Sequence, residues 1–331
     1  MFRAQLSQVF PPEPVFTEAD VPPQKGKVFV VTGGASGIGL ELTRILKDSS
    51  LKLRFNQKGA RVYIAGRSEE KAQQAIHNIR AAAPSSSDAT GSFGSLEFLQ
   101  LDLEDLSTIK ASAADFKARE SKLDVLWNNA GVSQPPLGSV SKQGIELQLA
   151  TNCLAAATCT DTPGSVRVVW TGSQMMELSA PPEAIIMSEL AAPPKDTTRN
   201  YVNSKTGNFL LATELARQQQ QQQRQQGAAT ISVSTNPGAA STNMLRHTPW
   251  TKYLARPLLY PARLAALTQL YAGVSADVTV AKNGCYVIPW GRISTQLKKD
   301  LTDAAKLKED GGTGRAREFW EFCEDGTASY R

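Results

Sequence analysis

A strand-like segment, a glycine-rich turn and a helix-like segment follow one another without a gap over residues 28–46. The apolar run Val28–Val31 contains three β-branched residues, which is typical of a strand buried on both faces of a sheet. The turn reads Thr-Gly-x-x-x-Gly-x-Gly, with glycines at positions 33, 37 and 39. Apolar residues then recur on one helical face. The stretch therefore predicts a strand–turn–helix unit around which the other segments are arranged.

The junction between this strand and its helix predicts an anion site. Unpaired backbone N–H groups and the positive end of the helix dipole favour a phosphate there, and glycine lets the backbone approach it closely. A tight turn that binds no ligand is the alternative, and the glycine motif alone does not separate the two.

Seven strand-like segments alternate with helix-like segments along the chain. The 331 residues, 41% of them hydrophobic, are enough for one large α/β domain. The alternation predicts a parallel sheet with right-handed crossovers, and so a doubly wound, seven-stranded Rossmann fold in a single domain. We expect the strands at residues 27–31, 61–65, 96–101, 123–127, 166–170, 230–233 and 285–288.

The regions on either side of this domain differ from it in composition. Residues 1–24 are rich in proline and predict a loosely packed arm. The Rossmann-type domain then covers residues 25–295, and residues 296–331 predict a polar helical tail. Within the domain, a helix is expected over residues 201–217, and the glutamine-rich tract 218–226 is expected to fray from its end.

Composition argues against several function classes. The net charge of +5 is spread along the chain, without the dense basic stripe of a nucleic-acid face. The four cysteines and two histidines lack the spacing of metal ligands, so we expect no metal site. No apolar run is long enough to cross a bilayer, and no signal-peptide pattern opens the chain. We therefore expect no stable membrane insertion and a cytoplasmic location.

Polar clusters follow the predicted strands at their carboxyl ends. They are residues 32–39, Arg67, Asp102-Leu103, Asn128–Gly131, Ser173 and Pro237-Gly238. Ligands of open α/β sheets bind beyond those ends. This shared placement predicts a nucleotide site more strongly than any single motif does.

Tyr201 and Lys205 lie four residues apart, and therefore on one face of a helix. A nearby ammonium favours the phenolate and lowers the pKa of a phenol from its usual ~10, so Tyr201 could exchange a proton with a carbonyl or alcohol oxygen. Ser173 could hold the same oxygen, and Asn152 could relay protons through a water to Lys205. For the spacing alone, an ordinary Tyr/Lys pair on a helix surface is the alternative.

Taken together and in this order, the motifs resemble those of the short-chain dehydrogenase/reductase family over residues 25–295. Within that family, the chain is similar to fungal, retinol-dehydrogenase-like, NADP-dependent reductases that are often found beside secondary-metabolite genes. The resemblance implies a nicotinamide coenzyme and reversible hydride transfer between an alcohol and a carbonyl of a small molecule. The hydride chemistry belongs to the coenzyme, and the protein supplies orientation and electrostatics.

The resemblance also implies roles for individual residues. Tyr201 would be the catalytic acid/base, and Lys205 would hold the nicotinamide ribose. Ser173 would position the substrate oxygen, and Asn152 would serve the proton relay. Besides Tyr201 and Lys205, the residues implied in coenzyme binding are Gly33, Ser36, Gly37, Ile38, Gly39, Arg67, Asp102, Leu103, Asn129, Gly131, Pro237 and Gly238.

The end of the second strand predicts the choice of coenzyme. An acidic residue there would bind the ribose 2′-hydroxyl of NAD, whereas an arginine suits the 2′-phosphate of NADP. The sequence has Arg67 followed by Ser68 at this point, with no carboxylate. This favours NADP over NAD, and the alternative is an exposed arginine that stacks on adenine.

Two segments depart from the family pattern. Residues 47–56 predict an insertion at the end of the first helix that is remote from the phosphate turn, and we expect a harmless loop. The helix of residues 144–160, which holds Asn152, spans only ~25 Å and is short. It lacks apolar surface beside the Tyr201 helix, where many family members form their dimer, so we expect lower stability and a less reliable homodimer. A misread exon boundary would produce the same two changes.

Substrate contacts are expected from residues 133–139, 174–200 and 239–254. With an apolar helix over residues 254–271, whose start two prolines interrupt, these segments predict a roomy pocket for a lipophilic ketone, aldehyde or secondary alcohol. The main alternative is a catalytically impaired protein that still binds the nucleotide, because of the shortened helix. A coenzyme-sensing regulator is a third hypothesis.

Overall fold

A sheet of eight β-strands runs through the computed structural model, which describes residues 2–48, 59–82, 94–158, 166–226, 230–242 and 258–330. The strands are β1 (Val28–Thr32), β2 (Arg61–Gly66), β3 (Leu96–Gln100), β4 (Val125–Asn128), β5 (Arg167–Thr171), β6 (Ile231–Thr235), β7 (Tyr286–Ile288) and β8 (Arg292–Ile293). They lie in the order β3-β2-β1-β4-β5-β6-β7-β8, and every neighbouring pair is parallel except β7 and β8.

The doubly wound Rossmann fold is confirmed, but the predicted count of seven strands is wrong by one. The seven predicted strands agree with β1 to β7 to within two residues at each end. The eighth strand returns antiparallel to β7 through Gly291, which has φ +82° and donates its N–H to the carbonyl of Ile288 at 3.0 Å. A strand of two residues is too short to carry the alternating pattern from which strands are predicted.

Helices cover both faces of the sheet. They are α1 (Phe2–Val9), α2 (Gly37–Asp48), α3 (Glu69–Ala81), α4 (Ile109–Arg119), α5 (Leu147–Leu149), α6 (Ala155–Thr158), α7 (Met175–Ser179), α8 (Ser188–Ala191), α9 (Thr197–Gln226), α10 (Ala262–Val274), α11 (Lys299–Ala305) and α12 (Arg315–Thr327). A π-helical turn, Ala150–Leu154, joins α5 to α6. Short 3₁₀ turns occupy Glu18–Asp20, Leu106–Thr108, Val280–Lys282, Lys308–Asp310 and Ala328–Tyr330.

Two apolar cores lie on opposite faces of the sheet, and β1 contributes to both. Val28 and Val30 belong to the core that includes α9 and α12, whereas Phe29 and Val31 belong to the core that includes α2, α3 and α10. Side chains alternate between the faces of a strand, so a continuous apolar run is what a strand covered on both faces requires.

The prediction that residues 1–24 form a loosely packed arm is wrong. The segment includes α1, in which Gln8 is only 2% exposed. The ring of Phe16 meets that of Tyr271 edge-on, with the ring centres 5.4 Å apart. Glu18 forms an ion pair with Arg263 at 2.7 Å. The arm is therefore packed onto the domain, although the division of the chain into arm, domain and tail stays a prediction.

Two helices differ from their predicted bounds. α9 continues through Gln226 instead of fraying from residue 218, because glutamine has a helix propensity close to that of lysine and glutamate. α10 begins only after Pro261, which occupies its N-cap. Residues 243–257, where the predicted apolar helix starts, lie outside the described residues.

The segment that holds Asn152 continues as helix to Thr158. Residues 159–165, which include the predicted end of this helix, lie outside the described residues. The same is true of residues 49–58, which contain most of the predicted insertion.

The tail helix α12 covers the face that we expected to lack apolar surface. Its Phe319 and Cys323 are fully buried, and α12 packs against α9, α6 and the π-helical turn. The approach is close, since a Cβ added to Gly207 of α9 would stand 2.6 Å from the Phe319 ring. The tail thus supplies cover in this region, while the expected loss of stability and of a reliable dimer stays a prediction.

The contact between Gly273 of α10 and the Trp127 ring gives a test of this packing. A Cβ at Gly273 would stand 2.0 Å from that ring, which is held by a 2.8 Å hydrogen bond from its Nε1 to the carbonyl of Gln269. We expect Gly273→Ala to lower the free energy of unfolding by about 1–3 kcal/mol in urea denaturation, because overpacking outweighs the gain in helix propensity. Gly66→Ala, where an added Cβ meets open space, is the control. Equal stability of the two variants would contradict this account.

Candidate active site

The carboxyl ends of the central strands surround a cleft of about 680 Å³. It opens beside β1 and β4, between which the strand order reverses direction along the chain. Such a switch point is where open α/β sheets bind nucleotides. The predicted site residues that line the cleft are Gly33, Ser36, Gly37, Ile38, Arg67, Leu103, Asn129, Gly131, Ser173, Tyr201, Lys205, Pro237 and Gly238.

The glycine turn fits a phosphate group. Gly33 and Gly37 have φ of +68° and +54°, in the left-handed region that favours glycine. A Cβ on Gly39 would stand 2.5 Å from the carbonyl oxygen of Gly33, so only glycine allows the helix to start this close to the turn. The backbone N–H of Leu40 donates to the carbonyl oxygen of Ser36 at 3.1 Å. The backbone N–H groups just before Leu40 belong to the first turn of α2, where helix amides are available to an anion.

Thr32 joins the ends of β1 and β4 on the floor of the cleft. Its hydroxyl oxygen accepts from the backbone N–H groups of Asn129 at 3.0 Å and Ala130 at 2.9 Å, and it donates to the carbonyl of Trp127 at 3.2 Å. The side-chain amide of Asn129 donates to the carbonyl of Thr32 at 2.9 Å. Asn129 therefore lines the cleft while its own amide fixes the distance between the two strands.

Tyr201 and Lys205 reach the cleft from one face of α9. Lys205 is 1% exposed, and its Nζ donates to the carbonyl of Thr171 at 2.9 Å. The same Nζ lies 5.8 Å from the centre of the Tyr201 ring. Burial lowers the pKa of Lys205 to about 8, because the ammonium loses its water shell.

The pKa of Tyr201 differs from what the sequence predicts. Burial raises it, and a hydrogen bond with the hydroxyl of Ser173 lowers it again in part. We expected Lys205 to lower this pKa, but its ammonium is bonded to the Thr171 carbonyl and the loss of solvation of the phenol dominates. Tyr201 and Ser173 nevertheless both line the cleft.

Asn152 stands behind the wall of the cleft. Its Oδ1 accepts from the N–H of Val132 at 2.9 Å, and its Nδ2 donates to the carbonyl of Val132 at 3.1 Å and to the hydroxyl of Ser204 at 2.9 Å. A Cβ on Gly131 would lie 2.9 Å from Asn152 Oδ1 and 3.4 Å from Lys205 Nζ, so both polar groups flank this glycine. The side chain positions the backbone beside the site, and its part in a proton relay stays a prediction.

A basic corner lies where β2 ends and α3 begins. Arg67, whose side chain is half-exposed, pairs with Glu104 at 2.5 Å. Ser68 caps α3, since its hydroxyl accepts from the N–H of Lys71 at 3.2 Å. All four residues line the cleft, and neither Lys71 nor Glu104 belongs to the predicted site. Lys71 could have been found as a cation in the first turn of a helix that begins at the cleft, whereas the contact of Glu104 depends on the tertiary fold.

Three predicted site residues lie in the described part of the chain without lining the cleft. Gly39 and Asn152 lie behind it, as described above. The carboxylate of Asp102 accepts from the N–H of Glu104 at 3.0 Å and closes a turn. In the segments expected to contact substrate, the lining residues are Ser133, Gln134, Met175, Ala239, Ala240 and Thr242, and residues 243–254 lie outside the described residues.

Known proteins are similar to this chain over nearly its whole length. The family model described as short chain dehydrogenase matches residues 27–252. A short-chain dehydrogenase/reductase of Pestalotiopsis fici is 40% identical over 334 residues, which cover 96% of this chain and 95% of that protein. A short-chain dehydrogenase/reductase of Phomopsis amygdali is 38% identical over 341 residues, covering 98% of this chain and 96% of that protein.

Solved structures show the same fold. An uncharacterized protein from Mycobacterium paratuberculosis has a TM-score of 0.67 at 24% identity, with 95% of this chain and 97% of that chain covered. A short chain dehydrogenase from Burkholderia cenocepacia, solved in complex with NADP, has a TM-score of 0.59 at 21% identity, with 82% and 98% covered.

The described part of the chain also bears on metal ligands, free cysteines and membrane-spanning helices. No three histidine, cysteine, aspartate or glutamate side chains gather there as metal ligands. Cys153, Cys285 and Cys323 are free thiols. Among the same residues, none of the helices combines the length and the hydropathy that crossing a membrane requires.

Replacing Lys205 with methionine tests the burial of its ammonium. The folded-state pKa of about 8 lies below the usual ~10.4 of an unfolded lysine, so the native protein binds fewer protons between these values and gains stability as the pH rises through them. Lys205→Met removes the buried charge, while Asn208 still donates to the Thr171 carbonyl at 2.9 Å. In scanning fluorimetry we expect the variant to melt about 2–6 °C above wild type at pH 7, and the difference to shrink by about pH 9.5. A difference that does not change with pH would contradict this.

Proposed function

Because the chain belongs to the short-chain dehydrogenase/reductase family of NAD(P)-dependent oxidoreductases, we propose that it interconverts a carbonyl and an alcohol on a lipophilic small molecule with NADP(H). The observation that carries the proposal is the meeting of Tyr201, Ser173 and buried Lys205 in a cleft that ends at the glycine turn. Proton-transfer groups and a diphosphate cradle thus share one cavity.

The residues of the cleft fit a dinucleotide. Gly33, Gly37 and the start of α2 would hold its diphosphate, and Asn129 and Gly131 would border the ribose on the adenine side. Lys205 would hold the nicotinamide ribose. When bound, the coenzyme supplies the hydride that passes to or from the substrate carbon.

Tyr201 is the group we assign to proton transfer. A phenol with the usual pKa of ~10 is protonated at neutral pH, and burial raises the pKa of Tyr201 further, so the group can donate its proton to the oxygen of a carbonyl that is being reduced. The Ser173 hydroxyl, bonded to the phenol, would hold the same oxygen in line. In the opposite direction the phenol would first have to lose its proton, which burial disfavours.

The lining near Tyr201 supports a lipophilic substrate. Val132, Met175 and Leu259 contribute apolar surface to the cleft, beside the polar side chains of Ser133 and Gln134. Such a mixture of apolar walls and a few polar groups is typical of sites for small organic ligands. A ketone, aldehyde or secondary alcohol with an apolar body fits this composition, and a place in fungal secondary metabolism stays a prediction.

The basic corner supports NADP over NAD. Arg67 and Lys71 bring two cations to the end of β2, and Ser68 and the start of α3 add hydrogen-bonding groups that suit a 2′-phosphate. Glu104 opposes this, because it already pairs with Arg67 and would repel a phosphate. We propose that the phosphate takes over Arg67 and that Glu104, which is about one-third exposed, turns to solvent.

Replacing the phenol tests the catalytic assignment. We expect Tyr201→Phe to lower NADPH oxidation with a panel of hydrophobic ketones and aldehydes by about 10²–10⁴-fold, because the proton donor is lost, while fluorescence titration still shows NADPH binding. Tyr63→Phe is the matched control, since it removes a hydroxyl that donates to Glu120 at 2.8 Å outside the cleft. NADPH binding by wild type without turnover on any member of the panel would favour the catalytically impaired alternative.

Replacing Arg67 tests the choice of coenzyme. We expect Arg67→Ala to raise the KM for NADPH by roughly 10- to 100-fold through the loss of a charged hydrogen bond to phosphate, and to leave the KM for NADH nearly unchanged. Arg61→Ala removes an equal charge from the other end of β2, where Arg61 pairs with Glu120, and should leave both values unchanged. An equal effect of Arg67→Ala on the two coenzymes would exclude a 2′-phosphate at this corner.

A further inference from the structure

The helix α1 is tied to segments that surround the cleft. Three of its backbone carbonyl oxygens accept hydrogen bonds from side chains of three separate segments, and two of these carbonyls, those of Ser7 and Val9, belong to the last turn, where helix carbonyls lack a partner within the helix. These bonds run from Gln174 to the carbonyl of Gln5 at 3.1 Å, from Arg292 to that of Ser7 at 2.7 Å, and from Tyr260 to that of Val9 at 3.0 Å. The donors belong to the segment after β5, to β8 and to the segment before α10.

Gln8 makes the innermost contact of this helix. Its Oε1 accepts from Nδ2 of Asn236 at 2.8 Å, and its Nε2 donates to Oε1 of Glu177 at 2.8 Å. All three side chains are less than 5% exposed. A primary amide offers an acceptor and a donor on adjacent groups, and Gln8 uses both here to connect a donor and an acceptor on two separate segments.

Both partners of Gln8 are connected to the cleft. Oδ1 of Asn236 accepts from the N–H of Gly238 at 2.9 Å, and both of these residues line the cleft. Glu177 lies on α7, the helix that begins two residues after Ser173. Gln8 therefore links the segment that carries the substrate-positioning serine to the loop that follows β6.

We propose that Gln8 is a positioning residue of the active site, which holds the segment after Ser173 and the loop Asn236–Gly238 at a fixed separation. The inference deepens the proposed function and rests on it for the kinetic readout, whereas coenzyme affinity tests it independently of turnover. Through this amide, α1 helps to position the residues of the site.

The energetics of buried polar groups support this role. Without the Gln8 amide, the Glu177 carboxylate and the Asn236 amide would each lose a buried hydrogen bond and would move toward other partners. Burial raises the pKa of Glu177, and the bond from Gln8 lowers it again in part. Burial and the charge of Glu177 together raise the pKa of Tyr286, so this carboxylate interacts with its neighbours in an environment from which solvent is excluded.

The first experiment compares two glutamines of α1. We expect Gln8→Ala to raise the Kd for NADPH in fluorescence titration and to lower kcat/KM, each roughly tenfold, because both cleft segments are displaced. Gln5→Ala is the matched control, since the backbone carbonyl of Gln5 and not its side chain accepts the bond from Gln174. It should stay within about twofold of wild type. Gly273→Ala, destabilised outside the cleft, shows whether lost stability alone changes these values.

The second experiment exchanges the amide and the carboxylate. Gln8→Glu places two carboxylates together and should weaken NADPH binding at least as much as Gln8→Ala does. In the double variant Gln8→Glu/Glu177→Gln, the new amide at position 177 donates to the new carboxylate at position 8, which still accepts from Asn236. We expect the double variant to recover to within about threefold of wild type in Kd and kcat/KM.

Each outcome decides the proposal. Recovery in the double variant, with Gln5→Ala unaffected, supports it, whereas Gln8→Ala values equal to those of Gln5→Ala overturn it. A double variant as weak as Gln8→Glu also overturns it. If wild type binds NADPH but reduces no carbonyl, the proposed function fails and the affinity series alone decides the role of Gln8. A wild type that binds no NADPH overturns both.

Discussion

One hydroxyl group, that of Thr32, fixes the width of the cleft at its floor. Its oxygen accepts from two backbone amides beyond β4 and donates to the carbonyl of Trp127, so its hydrogen-bonding capacity is fully used across the two strands. The glycine turn continues directly from this residue. A Cβ on Gly33 would stand 3.1 Å from the Cα of Ala130, which shows how closely the turn approaches the end of β4. The glycine turn and the wall of the cleft beyond β4 are therefore held in one rigid frame.

Burial shifts the pKa values of two side chains that line the cleft. The cavity removes solvent from Lys205 and from Tyr201, lowering the pKa of the amine and raising that of the phenol. Both shifts favour the neutral form of each side chain. A neutral phenol beside the Ser173 hydroxyl is suited to give a proton to a developing alkoxide, whereas the deprotonated state would need additional stabilisation of charge. The pKa directions of the two side chains thus follow from desolvation more than from the spacing of tyrosine and lysine.

The sequence was sufficient for features that depend on local pattern. β1 to β7, the turn at Gly33 and the placement of Tyr201 and Lys205 all follow from periodicity, glycine spacing and helix geometry. It was insufficient where distant segments meet. The ion pair of Arg67 with Glu104 joins the ends of two strands, and the bond of Gln8 to Glu177 spans 169 positions, so neither has a local signature. The pKa of Tyr201 was predicted in the wrong direction because burial cannot be read from a helical face alone.

The two ends of the chain complete the site from opposite directions. α1 contacts segments that line the cleft, while α12 supports the other side of α9, where the Phe319 ring and the Cys153 sulfur both lie within 3 Å of the position that a Cβ on Gly207 would take. Burial raises the pKa of the Cys153 thiol to about 12, so it stays neutral and donates to the carbonyl of Ser204 at 3.0 Å. That carbonyl directly precedes Lys205 in the chain. The helical segment around Asn152 is therefore packed against α9 with the help of a segment more than 150 residues later in the chain.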